Sequence, residues 1–304
     1  MVLLQQMIVL FILMGIGFFC GKKSFLSDEG SKTLSWVVVN VATPAMILSA
    51  GMNDESTVRG RELAIGFLVA LLIYAFQILM SFVILPLIRV PAGDGGVYRV
   101  MTIFSNIGFM GLPILQAVYG QEAVLYGALF QFPFNFLMYT YGIAALRGEN
   151  PFRNLKSINS IINVGVISTL LSVVIYVLEI PMPEFLKVSA GHLRNLAAPL
   201  SMLVIGQSLI HFKVKDMLED LRLLVFSLIK LLVVPVVGML IFRCFISDAL
   251  ILNVCFIMLA TPIASMCAMM AQQYGGNYSL ASKGVALSTV LSVVTIPLLS
   301  LVLQ

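Results

Sequence analysis

The stretch SNIGFMGLP at residues 105–113 interrupts a long apolar run, and it decides how the fold is interpreted. It places a side-chain amide, two glycines and a proline inside the segment 98–119. Proline removes a backbone donor and blocks the preceding helical turn, while glycine lets the chain leave helical geometry. The sequence therefore predicts a helix that is broken near the middle of a membrane.

The composition around this stretch is that of an integral membrane protein. Of the 304 residues, 60% are hydrophobic and 11% are charged, and the mean hydropathy is +1.04. A soluble domain carries about 25% charged residues, so this composition excludes a soluble enzyme, a nucleic-acid-binding domain and a disulfide-rich secreted domain. Lipid offers no partners to backbone groups, and the apolar runs do not alternate every second residue, so the spans are helices rather than barrel strands.

Charges, glycines and prolines divide the chain into ten predicted membrane-spanning helices. Their bounds are 2–21, 32–51, 63–88, 98–119, 122–146, 157–178, 193–210, 221–243, 249–272 and 279–303. The odd-numbered loops hold twelve Lys and Arg residues, and the even-numbered loops hold five. The positive-inside rule then predicts a multi-pass protein of the plasma (inner) membrane with both termini outside the cytoplasm.

Residues for metal or cofactor chemistry are lacking. Two histidines and four cysteines form no cluster with metal-ligand spacing, and all fourteen acidic residues fall at or beyond the predicted span ends. We therefore predict no metal, no cofactor and no nucleic-acid partner. The coupling ion, sodium or proton, stays open, because sodium can also be held by carbonyls and hydroxyls at broken helices.

Two short motifs recur at one spacing. NVATP at 40–44 returns as NLAAP at 195–199, and YG at 119–120 returns at 274–275, each time 155 residues later. This spacing predicts duplication of a five-span unit. Because five is odd, the second copy enters the membrane inverted, as in many secondary transporters. The predicted copies are 1–155 and 156–304.

A second broken helix is predicted in the ninth span, where ATPIASM at 260–266 places a proline between hydroxyl residues. Two such breaks that cross would direct half-helix N-termini, with their partial positive charge, into one cavity. That arrangement suits an anion. The alternative is a pair of proline kinks packed against neighbouring helices.

Three segments resemble the auxin efflux carrier family, within the bile/arsenite/riboflavin transporter superfamily: NVATP at 40–44, FSNIGFMGLPILQAVYG at 104–120 and AQQYGGNYSLAS at 271–282. The resemblance covers nearly the whole chain and is most specific over 104–120. The family includes plant auxin carriers and bacterial transporters of organic acids, and this chain looks like a short bacterial-type member.

The resemblance implies an all-α polytopic membrane protein with ten transmembrane helices in two inverted five-helix repeats. Its fourth and ninth helices are broken and cross, and the assembly is a homodimer. The resemblance also implies a scaffold of helices 1, 2, 6 and 7 beside a transport domain of helices 3–5 and 8–10. Elevator-like movement of the transport domain then carries the substrate.

The resemblance places the substrate site at the crossed breaks. Asn135 and Tyr139 match an Asn/Tyr pair that faces the substrate in plant carriers, and their i, i+4 spacing puts them on one helix face. Many bacterial members carry asparagine where Ser265 stands, which leaves the substrate's identity open. The predicted substrate-binding residues are Asn106, Gly108, Gly111, Pro113, Asn135, Tyr139, Thr261, Pro262 and Ser265. A second group of candidates comprises Asn40, Pro44, Asn195, Pro199, Gln131 and Lys230.

Two members of the second group have competing interpretations. Lys230 lies eight residues after Arg222, about 12 Å along a helix. We expect its long stem to reach back toward the cytoplasm rather than to pair with a substrate carboxylate. The N-x-x-x-P motifs that begin at Asn40 and Asn195 are expected to shape their helices, with direct substrate contact as the alternative. Gln131, one turn before Asn135, is expected to share its helix face.

The predicted function is a secondary transporter of small organic anions, mono- or dicarboxylates, that works by elevator-like alternating access. A channel-like uncoupled facilitator of organic acids is the alternative. An intramembrane enzyme is a third possibility, but no histidine or aspartate at membrane depth is available to serve a nucleophile. The expected partners are the organic anion, the lipid bilayer and a second copy of the chain.

Overall fold

The computed structural model describes residues 2–53, 60–149, 163–211 and 220–303, and these residues are helical without any β-strand. In chain order the helices are α1 (Val2–Lys22), α2 (Asp28–Gly51), α3 (Gly60–Leu87), α4 (Gly95–Ile103), α5 (Leu112–Leu129), α6 (Gln131–Leu137), α7 (Ile143–Arg147), α8 (Val164–Val177), α9 (Glu184–Ser208), α10 (Leu221–Phe242), α11 (Ala249–Ala260), α12 (Ser265–Tyr274) and α13 (Tyr278–Leu303).

Six helices of the described residues are long and apolar enough to cross a membrane. They are Gln5–Lys22, Asp28–Gly51, Arg61–Leu87, Glu184–His211, Leu221–Phe242 and Tyr278–Leu301. The all-α prediction is thus confirmed for the described part of the chain. The ten-helix inverted repeat remains a prediction, and its internal boundary at residues 155 and 156 lies outside the described residues.

Three of the other four predicted spans are not single continuous helices. The spans 98–119 and 249–272 are each interrupted, and 122–146 covers the end of α5 together with α6 and α7. The span 157–178 is described only from residue 163, where α8 follows.

The predicted start of the seventh span at residue 193 is wrong, because α9 begins at Glu184, directly after Pro183. Lys187 and Arg194 lie inside this helix. Charged side chains end an apolar run without ending a helix, whereas proline is well tolerated only at the very start of one. The helix therefore extends beyond its apolar part.

Four π-helical turns interrupt the α-helical hydrogen bonding of the described residues, at Val38–Ala42, Ile107–Gly111, Met138–Gly142 and Ile229–Val233. The first, second and fourth lie two residues before a proline. Thr43 and Val234, each directly before such a proline, donate their N–H to the carbonyl five residues back. Because the proline ring clashes with the carbonyl four residues before it, the wider turn relieves the clash.

One compact unit consists of residues 2–53, 60–69, 107–132 and 163–211. In it α1 packs along α9, and α2 packs against α8 and α9. A Cβ atom added at Gly206 would lie only 1.9 Å from the Met14 carbonyl oxygen, and one at Gly17 would lie 2.3 Å from that of Leu203. Glycine at these positions allows the backbones of α1 and α9 to touch.

A second compact unit consists of residues 70–106, 133–149 and 220–303. Its helices include α4, α6, α7 and α10 to α13, and α13 packs against both α10 and α12. Edge-to-face ring pairs join its helices, with centroids 4.9 Å apart for Tyr98 and Phe226 and 5.3 Å apart for Phe104 and Phe134. These rings fix α4 against α10 and α6.

The repeated Tyr-Gly motif marks a helix end or kink in both halves. Gly120 has φ +78° and kinks α5, while Gly275 has φ +83° and follows the last residue of α12. A positive φ is accessible to glycine without steric cost. The two copies of the motif therefore share one backbone role, which is to end a helical path.

Candidate functional site

The two predicted helix breaks pair with each other inside the second unit. The Asn106 N–H donates to the Pro262 carbonyl at 2.7 Å, and the Ala264 N–H donates to the Phe104 carbonyl at 3.0 Å. This is the antiparallel arrangement of two short extended segments. Two backbone donors at the breaks thus find acceptors in the opposite break, as burial requires.

Both breaks are extended, and local sequence explains the second. Pro262 disfavours helical geometry in the residue before it, and Thr261 accordingly has φ −65° and ψ 149°. Phe104 leaves α4 with φ −104° and ψ 103°. At the 155-residue offset of the repeated motifs, Asn106 aligns with Thr261. Each of these two polar residues therefore stands at the break of its own half.

Hydroxyl side chains support the pair of breaks from within the second unit. Ser105 and Ile263 form an antiparallel bridge at its centre, and the Ile263 N–H donates to Ser288 Oγ at 3.1 Å. Thr261 Oγ1 donates to the Met258 carbonyl at 3.2 Å, at the end of α11. The sequence did not single out Ser105 or Ser288. The only sequence feature that could have indicated these two residues is a hydroxyl side chain inside an apolar span.

Lys230 joins this network and is fully buried. Its Nζ donates to the Thr102 carbonyl at 2.8 Å and to Ser105 Oγ at 2.9 Å. In an unbroken helix the Thr102 carbonyl would accept the N–H of residue 106. Asn106 instead donates that N–H to Pro262. The break leaves the Thr102 carbonyl without its helical donor, and the lysine Nζ donates to it instead.

The expectation that Lys230 reaches back toward water is wrong. Its side chain has 0% exposure and ends on Thr102 and Ser105. Distance along α10 favoured an outward path, but the carbonyl released by the break of α4 lies within hydrogen-bonding distance of Nζ and needs a donor. The lysine therefore stays inside the unit.

The charge of Lys230 is unusual in its surroundings. Of the aspartate, glutamate, lysine, arginine and histidine side chains in the described residues, only that of Lys230 is buried. A buried carboxylate would neutralise the ammonium, and the described part of the unit supplies none. Burial disfavours the charged form of a lysine that has no carboxylate partner, and an anion bound nearby would favour that form.

Asn135 and Tyr139 lie on the helix that packs beside the first break. Asn106 is 5% exposed and Asn135 is 4% exposed, while Tyr139 is half-buried in the π turn that follows α6. The ring contact between Phe104 and Phe134 holds α6 against the break. The second unit thus gathers an amide from the break and an amide from α6 in one helix bundle.

Ser265 is exposed and begins α12, where Ala264 is the N-cap residue without a side-chain cap. The first turn of a helix carries backbone N–H groups without intrahelical partners and a partial positive charge. Ser265 therefore adds hydroxyl and backbone donors at the accessible side of the second break. Of the predicted site residues, the second unit holds Asn106, Asn135, Tyr139, Thr261, Pro262, Ser265 and Lys230.

The remaining candidates belong to the first unit. Gly108 and Gly111 lie in the π turn before α5, and Pro113 is buried in the first turn of that helix. A Cβ atom at Gly108 would lie 3.7 Å from Gln131 Nε2, and one at Gly165 would lie 3.9 Å from Gln131 Oε1. Gln131 therefore contacts this π turn through the space that Gly108 leaves.

The first N-x-x-x-P motif lies at a π turn of its helix, whereas the second lies in a continuous α-helix. Asn40 Nδ2 donates to the Trp36 carbonyl of its own helix at 3.0 Å, inside the π turn that precedes Pro44. Asn195 is exposed on α9, and Pro199 lies within that helix. Asn40 is thus bonded to its own helix, as the expected helix-shaping role requires.

A groove of about 380 Å³ in the first unit is lined by apolar side chains from α3, α5 and α8 and by Phe132. Its one polar side chain, Thr169, bonds to the Gly165 and Ala128 carbonyls. It offers an anion no donor. In the described residues no group of three or more His, Cys, Asp or Glu side chains could hold a metal ion.

Comparisons with known proteins agree with a transporter. A family model described as membrane transport protein matches residues 2–300. A protein of Methanothermobacter thermautotrophicus (strain Delta H), named an uncharacterized transporter, is 22% identical in an alignment 311 positions long that covers 98% of this chain and 98% of that protein. The match extends across both halves of the chain and both breaks.

Proposed function

We propose that this chain, which belongs to the membrane transport protein family, is a secondary transporter of small organic anions. The family match confirms the resemblance to the auxin efflux carriers. The substrates we propose are mono- or dicarboxylates. The observation that carries this proposal is the buried Lys230 ammonium at the paired breaks, with no buried carboxylate among the described residues to neutralise it.

The geometry of the second unit supports recognition of a carboxylate. The ammonium would supply positive charge beside Ser105. α12 begins at Ser265 without a side-chain cap, so its first turn would offer backbone donors. Carboxylates accept hydrogen bonds from amide and hydroxyl groups. We therefore assign Asn106, Asn135 and Ser265 as substrate donors, with Lys230 acting through its charge.

Movement of the second unit as one body is the mechanism we propose. This unit contains both breaks, which are joined by two backbone hydrogen bonds, and a compact body can carry such a site without disrupting it. The antiparallel pairing of the breaks and the alignment of Asn106 with Thr261 support the inverted duplication. Homodimer assembly and termini outside the cytoplasm belong to the same proposal, on the family resemblance and the loop charges.

Thermal unfolding of the purified protein against a panel of mono- and dicarboxylates tests the binding step. A ligand present at about 100 times its Kd stabilises the folded state by about 2.7 kcal/mol, so a binding carboxylate raises the Tm in a saturable way. Asn106→Ala is expected to remove this increase because the buried amide at the break is lost.

The matched control is Asn195→Ala, which removes the same amide from an exposed position on α9. This variant is expected to retain the increase in Tm. The proposal fails if no carboxylate stabilises the protein, or if folded Asn106→Ala responds as the unaltered protein does.

A further inference from the structure

The Lys230 ammonium donates to the kinds of oxygen atom that bind small cations in proteins. Its two acceptors are a backbone carbonyl released by a helix break and a serine hydroxyl. Carbonyls of unwound helices and the C-terminal ends of half-helices are the groups with which transporters bind coupling cations. We propose that Lys230 is a built-in cation that fills such a site, so that transport by this chain needs no sodium ion.

The position of the ammonium along α4 explains why a cation is stabilising there. The last carbonyls of a helix lack intrahelical partners and carry a partial negative charge. α4 ends at Ile103, and Thr102 lies in its last turn. The neighbouring Val100 and Phe104 carbonyls accept weak hydrogen bonds from the Cys267 thiol, each at 3.7 Å. The Val100 and Phe104 carbonyls also accept backbone N–H groups, from Phe104 and Ala264. For the Thr102 carbonyl the donor is the ammonium.

The burial of Lys230 explains why a free ion is not needed as well. The lysine side chain has no exposure and enters from the π turn of α10, and its Nζ lies 2.8 Å from the Thr102 carbonyl oxygen. Two cations at one carbonyl would repel each other strongly in a low-dielectric region. A tethered ammonium therefore excludes a sodium ion from the same position.

This inference rests on the proposed function only for its consequence in transport; the cation site itself is tested by stability. The purified full chain is unfolded thermally in sodium chloride, methylammonium chloride or choline chloride at equal ionic strength. We expect the unaltered protein to have the same Tm in all three salts, because its site is already filled.

Two variants distinguish an occupied site from an empty one. Lys230→Ala removes both the charge and the stem, and we expect a lower Tm that methylammonium raises in a saturable way while choline does not. Lys230→Met removes the charge but keeps an unbranched chain of similar length. We expect no specific response of Lys230→Met to methylammonium, because its thioether occupies the space.

Saturable stabilisation of the unaltered protein by sodium would overturn the inference, and so would folded Lys230→Ala that does not respond to methylammonium. If Lys230→Ala does not fold, the test uses the response of the unaltered protein and of Lys230→Arg to sodium. Both keep the cation, both are expected to be insensitive to sodium, and stabilisation of either one by sodium refutes the inference.

Uptake into proteoliposomes completes the test. Replacing a sodium gradient by choline is expected to leave the initial rate of carboxylate uptake unchanged, and uptake driven by a sodium gradient would overturn the inference. If no carboxylate is taken up in any salt, the proposed function fails, whereas the Tm measurements still decide whether Lys230 fills a cation site.

Discussion

Removal of the Ser288 hydroxyl is the perturbation that most directly tests how the paired breaks are held. Ser288 Oγ accepts the N–H of Ile263, which is fully buried at the centre of the second break. In Ser288→Ala this donor has no acceptor, and an unsatisfied buried donor costs about 1–3 kcal/mol. Side-chain hydrogen bonds in membrane bundles contribute about 0.6 kcal/mol on average. We expect the larger cost, because a backbone donor is left without a partner.

A second serine of the same unit provides the control. Ser227 is also fully buried, but its Oγ has no hydrogen-bond partner among the described residues. Ser227→Ala removes the same atom and leaves no donor unsatisfied, so we expect its free energy of unfolding to stay close to that of the unaltered protein.

Reversible unfolding in detergent micelles measures both variants, and carboxylate uptake is recorded in parallel. Ser288→Ala is expected to be less stable than Ser227→Ala by at least about 1 kcal/mol, and to transport less. If the two variants are equally stable, the hydroxyl does not hold the break in the way described.

Two further predictions concern backbone positions that only glycine fits. Gly206→Ala places a Cβ atom 1.9 Å from the Met14 carbonyl and is expected to lower stability by about 1–3 kcal/mol through overpacking. Gly15→Ala, which meets no atom within 4 Å, should leave the Tm unchanged, and equal Tm values for the two would contradict the close approach of α1 and α9. Gly120→Ala forces alanine into φ +78° and ψ −162°, at a cost of about 1–3 kcal/mol. Gly93→Ala is its control, since it has open space and no positive φ; a neutral Gly120→Ala in denaturant unfolding would refute the kink.

The existence of both breaks could be predicted from the sequence, but only the second lies where its proline acts. Pro262 constrains Thr261, which is extended. The first break lies at residues 104–106, several residues before Pro113, which stands in the first turn of α5. The pairing of the breaks has no such local cause. It joins Asn106 to Pro262, which are far apart in the chain, and only the packed helices bring them together.

The prediction for Lys230 failed for a related reason. Its distance from Arg222 along one helix could be computed from the sequence, but the acceptor it finds is the Thr102 carbonyl on another helix. That carbonyl is available only because Asn106 donates elsewhere. A hydrogen-bond partner created by a break in a different helix leaves no mark in the sequence around the lysine.

The start of α9 shows a third limit. Apolar runs predict where a helix is buried in lipid, whereas the helix itself continues through Lys187 and Arg194 to Glu184. The other five continuous apolar helices were predicted to within a few residues, because their composition suffices to define them. The hydroxyl supports Ser105 and Ser288 were missed, since a serine inside an apolar span has the same appearance whether or not a backbone group needs it.

Counterflow in proteoliposomes tests the central claim most directly. Vesicles that contain the protein are loaded with an unlabelled carboxylate that raises its Tm, and the same labelled carboxylate is added outside. A transporter with alternating access is expected to take up label transiently above equilibrium, with saturable rates, and Asn106→Ala is expected to lose this signal while Asn195→Ala keeps it. Linear uptake without counterflow would contradict the claim and indicate a channel-like facilitator instead.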